Sequence, residues 1–273
     1  MACESSPGRV IAVDLDWTQI VAIVAAGVVG GAVNTLVGGG TLIVLPLLVF
    51  LGIDPLVANG TNRICVAFQA GVAGWTMNRG LRRQEQPPAT ALTVGWTPIL
   101  LVGLAAIPGA WGAIEIESID KGAFRELMGW VLLVAVGAFL LPRPKTTQDS
   151  ESGTRPGIFF YAGCLLCGFY GGFIGAGVGA FIVLLLTTSL RLTVVDAVRW
   201  KVWCVMAMSA ASGTWYLASG VIDARVAIPL IPAYGVGAYL GGRIALRGGD
   251  RLLRPIVALL SAGLALSIIF GVV

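Results

Sequence analysis

Apolar residues along this chain come in long runs. Residues 17–53, 86–114 and 157–190 contain no charged side chain, and each run exceeds the ~20 apolar residues that a helix needs to cross a bilayer. Apolar segments can be marked at 17–36, 40–53, 55–78, 87–113, 124–141, 157–175, 179–190, 194–218, 225–246 and 253–273. Two of them, 40–53 and 179–190, are too short for an ordinary span. The segment PRPKTTQDSESGTRP, residues 142–156, is rich in Pro, Ser, Thr and charge, and reads as a solvated linker. The pattern predicts an all-α, polytopic membrane protein. Its parts are an extramembrane segment 1–16, a first half 17–141, the linker 142–156 and a second half 157–273.

Composition sharpens this reading. Charged residues make up 12% of the chain, about half of the ~25% usual in soluble domains. The 38 glycines suit helices that pack closely or break. Residues 1–16 set Glu4, Asp14 and Asp16 against Arg9, the wrong sign for the basic start of a signal peptide, so the first apolar segment is expected to stay as a membrane helix. Cys65, Cys164, Cys167 and Cys204 sit within apolar runs and read as small packing residues. There is no histidine, which excludes His-based nucleophile activation and His-ligated metal chemistry. No cofactor, metal or nucleic-acid partner is expected.

The linker invites a comparison of the two halves. A shift of 139 residues lays 38–58 over 177–197 without a gap, with eight identities in 21 positions, Gly38/Gly177, Gly40/Gly179 and Ala58/Ala197 among them. Basic loops stay cytoplasmic. Arg79, Arg82 and Arg83 mark one inside loop; Arg143, Lys145 and Arg155 mark the linker; Arg243, Arg247, Arg251 and Arg254 mark a third. The mixed loop 115–126 reads as outside, yet in register it matches the basic region 247–254. Equivalent loops on opposite faces require an odd number of crossings per half. Five and five, inverted, meets that condition; so do re-entrant hairpins at the short segments. Inverted repeats are the expected build of a secondary transporter.

The candidate site follows from the breaks. Gly38, Gly39 and Gly40 precede one short segment; Gly175, Gly177 and Gly179 precede the other. A helix starting inside a membrane offers unpaired N–H groups and a positive dipole end, which suits an anion. Thr41, Asn59, Thr61, Asn62, Arg63 and Gln69 lie close by in the first half; Arg199 and Lys201 lie in the matching stretch of the second. Asp54-Pro55 reads as a helix start, placing Asn59, Asn62 and Arg63 on one face. The competing reading makes these cations headgroup anchors, or partners of Asp54 and Asp196.

With GGGTLIVLP at 38–46, Ala58-Asn59-Gly60-Thr61-Asn62 after it and a glycine-rich copy in the second half, the chain resembles the sulfite exporter TauE/SafE family, also called the 4-toluene sulfonate uptake permease family. The resemblance runs from Trp17 to the end. It implies a bacterial inner-membrane carrier of sulfite, sulfoacetate or another sulfur-containing anion, and it carries over directly to Gly38, Gly39, Gly40, Pro46, Ala58, Gly60 and Thr61. The family often has Ser where Asn62 stands. Its second-half motif, close to A-x-G-T-S, here reads Ala197-Val198-Arg199-Trp200-Lys201, which leaves the identity of the anion open. The expected partners are a small anion, the lipid bilayer and, in a homodimer, a second copy. An anion channel, a membrane-embedded enzyme and a packing scaffold are the alternatives.

Overall fold

A computed structural model describes residues 15–83, 95–122, 124, 126, 127, 130 and 156–269. Among the described residues there are eight helices and no strand: α1 (Trp17–Leu36), α2 (Thr41–Phe50), α3 (Pro55–Arg83), α4 (Thr97–Ile119), α5 (Ile158–Phe173), α6 (Val178–Ser189), α7 (Val194–Ala218) and α8 (Ala224–Ile269). The expected segment 124–141 and the linker 142–156 lie almost wholly outside the described residues. Where hydropathy predicts a break between 225–246 and 253–273, the helix continues. The Arg- and Leu-rich stretch Arg251–Arg254 is good helix-forming sequence, and it carries the backbone past Gly248-Gly249. At 1.5 Å per residue α8 is about 69 Å long, more than twice the hydrocarbon thickness of a bilayer.

Local chemistry sets several ends. Asp16 caps α1, with its side chain accepting from the Trp17 amide and Gln19 closing a reciprocal capping box. Asp54 Oδ1 accepts from the amides of Leu56 and Val57 at 2.9 and 3.3 Å, as the Asp54-Pro55 pair predicts. Thr193 caps α7. α1 and α4 are long and apolar enough to span a bilayer. α3 and α7 are longer still at 29 and 25 residues, but they carry the polar site residues.

The helices form two parallel triads. Gly27 meets Leu230 and Ala233, Gly31 meets Tyr234, and Gly241 meets Ala32 and Thr35, so α1 and α8 run together. α3 joins them, with Gly60 against Val221, Phe68 against Gly235 and Thr76 against Gly242. In the other triad α5 runs alongside α4, where Gly168 and Gly172 lie against Val102 and Ala106. α7 packs on α4 and runs antiparallel to α3, Gly60 meeting Tyr216, Ile64 meeting Gly213 and Gly74 meeting Trp203. Exchanging α1, α3 and α4 for α5, α7 and α8 maps this packing onto itself. Small residues at these seams let backbones approach closely, the means by which helices associate where lipid removes the hydrophobic drive. Large apolar side chains such as Val29, Phe68, Trp75, Leu104, Trp111, Leu166 and Ile228 are exposed around the outside, a surface that suits lipid.

Candidate functional site

Both glycine clusters interrupt a helix. α1 ends with Gly38 at φ +92°, its N–H bonded to Val33 O at 3.2 Å; α5 ends with Gly175 at φ +62°, its N–H bonded to Tyr170 O at 2.9 Å. This i→i−5 closure with a left-handed glycine is a standard helix stop. In each case a new helix begins within a few residues, α2 at Thr41 and α6 at Val178, and neither start has a side-chain cap. Among the described residues no partner is recorded for the N–H groups of Gly39, Gly40, Ala176 and Gly177. α2 folds back on α1, with Gly40 against Gly30 O and Val44 against Gly30. The two breaks touch: Gly38 lies against the backbone of Gly179, so close that a Cβ on either would strike the other. Two positive helix starts therefore meet at the centre of the molecule, near where α3 and α7 cross.

Side chains from α3 and α7 line this crossing in three groups. At the end of α1, Lys201 Nζ donates to Asn34 O and Thr35 O at 2.7 and 2.6 Å. Gln69 completes that group, accepting from Asn34 Nδ2 at 2.6 Å and donating to Thr35 Oγ1 at 2.7 Å. At the start of α2, Asn62 Nδ2 donates to Thr41 Oγ1 at 3.3 Å while Asn62 Oδ1 accepts from the Tyr234 hydroxyl at 2.8 Å. At the end of α5, Asn59 Nδ2 donates to Phe173 O at 2.7 Å and to the Tyr216 hydroxyl at 3.1 Å.

Arg63 belongs to the third group and is the least satisfied. Its side chain is 1% exposed. Nη2 donates to Asn59 Oδ1 at 3.2 Å, Nε has no partner, and among the described residues no carboxylate lies within 4 Å. The guanidinium occupies the space a Cβ at Gly175 would need, beside the start of α6. A buried cation of this kind costs about 2.5–3.5 kcal/mol on membrane-insertion scales and is ordinarily paired or turned to a cavity. Lys201 is equally buried, and its Cδ lies 3.1 Å from where a Cβ at Gly179 would stand. Neither cation is exposed on the surface of the protein.

Thus Gly38, Gly39, Gly40, Thr41, Asn59, Asn62, Arg63, Gln69, Gly175, Gly177, Gly179 and Lys201 come together. Two do not. Thr61 turns to the start of α8, accepting from the Asp223 amide at 2.9 Å; Arg199 is half-buried nearer the other end of the α3–α7 pair, its Nε donating to Asn78 at 3.0 Å. Asn34, Thr35, Tyr216 and Tyr234 are site residues the sequence reading lacks. Asn34-Thr35, a polar pair in an apolar run directly before the glycines, is a visible signal. The tyrosines leave none, because their partners come from distant segments.

The chain matches the family described as sulfite exporter TauE/SafE over residues 23–268. The chain belongs to that family. Its relatives include a "probable membrane transporter protein" of Haemophilus influenzae, 27% identical over 251 residues that cover 91% of this chain and 93% of the relative. "Probable membrane transporter protein ORF9" of a Sinorhizobium species is 24% identical, with 94% of each chain covered. "Probable membrane transporter protein YfcA" of Escherichia coli K12 is 22% identical, covering 88% and 86%. No solved structure matches the chain. As a TauE/SafE member it is a membrane transporter acting on a small-molecule substrate in a lipid bilayer.

Proposed function

We propose that this TauE/SafE protein is a secondary transporter that exports sulfite, or a small organosulfonate or related sulfur oxyanion such as sulfoacetate, by alternating access. The observation that carries the reading is Arg63: a buried guanidinium with an unbonded Nε, beside the uncapped start of α6. An oxyanion supplies the acceptors this group lacks, and charge-assisted bonds to guanidinium are the strong ones. The helix starts at Gly40 and Gly177 add further N–H donors. The family description directs the choice among oxyanions to sulfite. The exchange symmetry of the two triads supports halves 17–141 and 157–273 as inverted repeats joined by a cytoplasmic linker, 142–156. We place the protein in the bacterial inner membrane as a multi-pass chain, acting as a homodimer.

A channel using the same helix starts is the second reading. Burial of Asn59, Asn62, Arg63, Gln69 and Lys201 favours a carrier, because the crossing is closed to both ends at once. Export needs no coupled ion: one negative charge leaving a cell gains about 2.3 kcal/mol per 100 mV, inside negative. Flux of radiolabelled sulfite in proteoliposomes tests the reading. Saturable flux that follows an imposed potential is expected. Flux no greater than in empty liposomes for sulfite, sulfoacetate, thiosulfate and sulfate contradicts it, and unsaturable single-channel currents favour the channel.

A further inference from the structure

The two interrupted helices are held at their ends by different chemistry. The last carbonyls of α1 are gripped by a cation, Lys201 Nζ on Asn34 O and Thr35 O. Those of α5 are held by neutral donors. Asn59 Nδ2 takes Phe173 O at 2.7 Å, and the Tyr216 hydroxyl lies 3.0 Å from Gly172 O and 3.2 Å from Phe173 O. The neutral clasp is also joined to the guanidinium, since Asn59 Oδ1 accepts from Arg63 Nη2. Among the described residues no hydrogen bond joins Arg63 to the α1 clasp.

We propose that Asn59 is a positioning residue that couples anion binding at Arg63 to release of the α5–α6 turn, while the α1–α2 turn stays clasped. The inference rests on the anion reading above. At 3.2 Å to a neutral amide oxygen, the Arg63–Asn59 bond is long, whereas an oxyanion forms shorter and stronger bonds with the same donors. An anion that takes Nη2 and Nε strips Asn59 Oδ1 of its donor. Asn59 is fully buried, and a buried acceptor without a donor is unfavourable. Rotating the amide relieves this and withdraws Nδ2 from Phe173 O. The terminal carbonyls of α5, which have no partner inside their own helix, then favour contact with water. Arg63 itself packs against Gly175 in the same turn, so the anion, the clasp and the moving backbone are contiguous.

The geometry also gives a direction. The end of α5 lies with the starts of α3 and α8, at the opposite end of these helices from Arg79 and Arg243. Basic loops face the cytoplasm, so the clasp that anion binding loosens is the outer one. A loaded carrier is thereby biased to open outward, the sense needed for export. The bias is a population shift, driven by the anion's different affinity for the two arrangements.

Hydrogen exchange of the full-length protein in nanodiscs, with and without sulfite, tests this. In the wild type, sulfite is expected to speed exchange of the Ile174 and Gly175 amides, whose bonds to Tyr170 O close the α5 turn, and to leave those of Val37 and Gly38, bonded to Val33 O, unchanged. In Asn59→Ala, the Ile174 and Gly175 amides exchange fast without sulfite and do not respond further. In proteoliposomes that variant shows a lower KM with a lower maximal flux, because the guanidinium is no longer shared while binding no longer drives release. Tyr216→Phe weakens the clasp without touching Arg63; it raises basal exchange and keeps the sulfite response, and it serves in place of Asn59→Ala if that variant does not fold. An unchanged or slower exchange of the Ile174 and Gly175 amides in wild type with sulfite bound overturns the coupling. So does an equal response at both turns, or a wild-type response in Asn59→Ala. If sulfite does not bind the wild type at all, the anion reading fails and the coupling falls with it.

Discussion

A guanidinium that is 1% exposed, with Nε unbonded and no carboxylate within 4 Å among the described residues, burdens the folded protein with a desolvation cost. Replacing it with an apolar side chain of similar reach removes that cost. Arg63→Met also leaves the buried Asn59 Oδ1 without its donor, so the two effects offset each other, and we expect this variant to fold, with a melting temperature close to that of the wild type, and to abolish anion flux. Gly175 tests the same spot from the backbone side. At φ +62°, and with the guanidinium where its Cβ would be, Gly175→Ala is strained and displaces Arg63. Its expected outcome is reduced stability together with lost flux, read by thermal denaturation and liposome uptake. Arg63 itself was legible in the sequence as a cation one turn beyond Asn59. Its lack of a partner was not, because that depends on which segments the fold brings to it.

At the level of elements, the proposed site consists of two interrupted helices that meet at Gly38 and Gly179. The glycine clusters that mark the interruptions are plain in the sequence, as is the Asp54-Pro55 start that sets the phase of α3. The function of Lys201 and Gln69 was less legible. Lys201 caps the last carbonyls of α1 and Gln69 holds the Asn34 and Thr35 side chains; α1 is far from Lys201 in sequence, and no local pattern announces such a partnership. Lys201→Met should leave Asn34 O and Thr35 O without their charged donor. We expect faster hydrogen exchange at residues 33–41 in this variant, with 174–179 unaffected. Equal loosening of both turns would show that the two clasps are not independent. Gly38→Ala is expected to be more damaging, since a side chain at φ +92° is strained and the Gly179 backbone leaves no room for it. Loss of folded protein on expression is the outcome to measure.

For the whole molecule, the antiparallel α3–α7 pair and the two triads place the Asp54, Glu117 and Asp223 ends together and the Arg79 and Arg243 ends opposite. Charge along the loops had already indicated opposite faces for equivalent connections. The swap by which α8 joins α1 and α3, while α4 joins α5 and α7, was not readable from hydropathy, which reports length and polarity but not neighbours. The native cysteines among the described residues are buried or half-buried, so in a background with Cys3 replaced by Ser, introduced thiols report sidedness. Glu117→Cys should react with an impermeant maleimide added outside intact cells, and Arg79→Cys only after permeabilisation. The reverse pattern would invert the assignment of the outer clasp.

The central claim is that Arg63 holds the transported anion at the crossing of the two interrupted helices. The most direct measurement is the melting temperature of the purified protein against sulfite concentration, for the wild type and for Arg63→Met. A ligand that binds only the folded state stabilises it by about 2.7 kcal/mol at a hundredfold excess over its Kd. The account predicts a saturating rise in the wild type and none in Arg63→Met. An equal rise in both proteins, or no rise in the wild type, would contradict it.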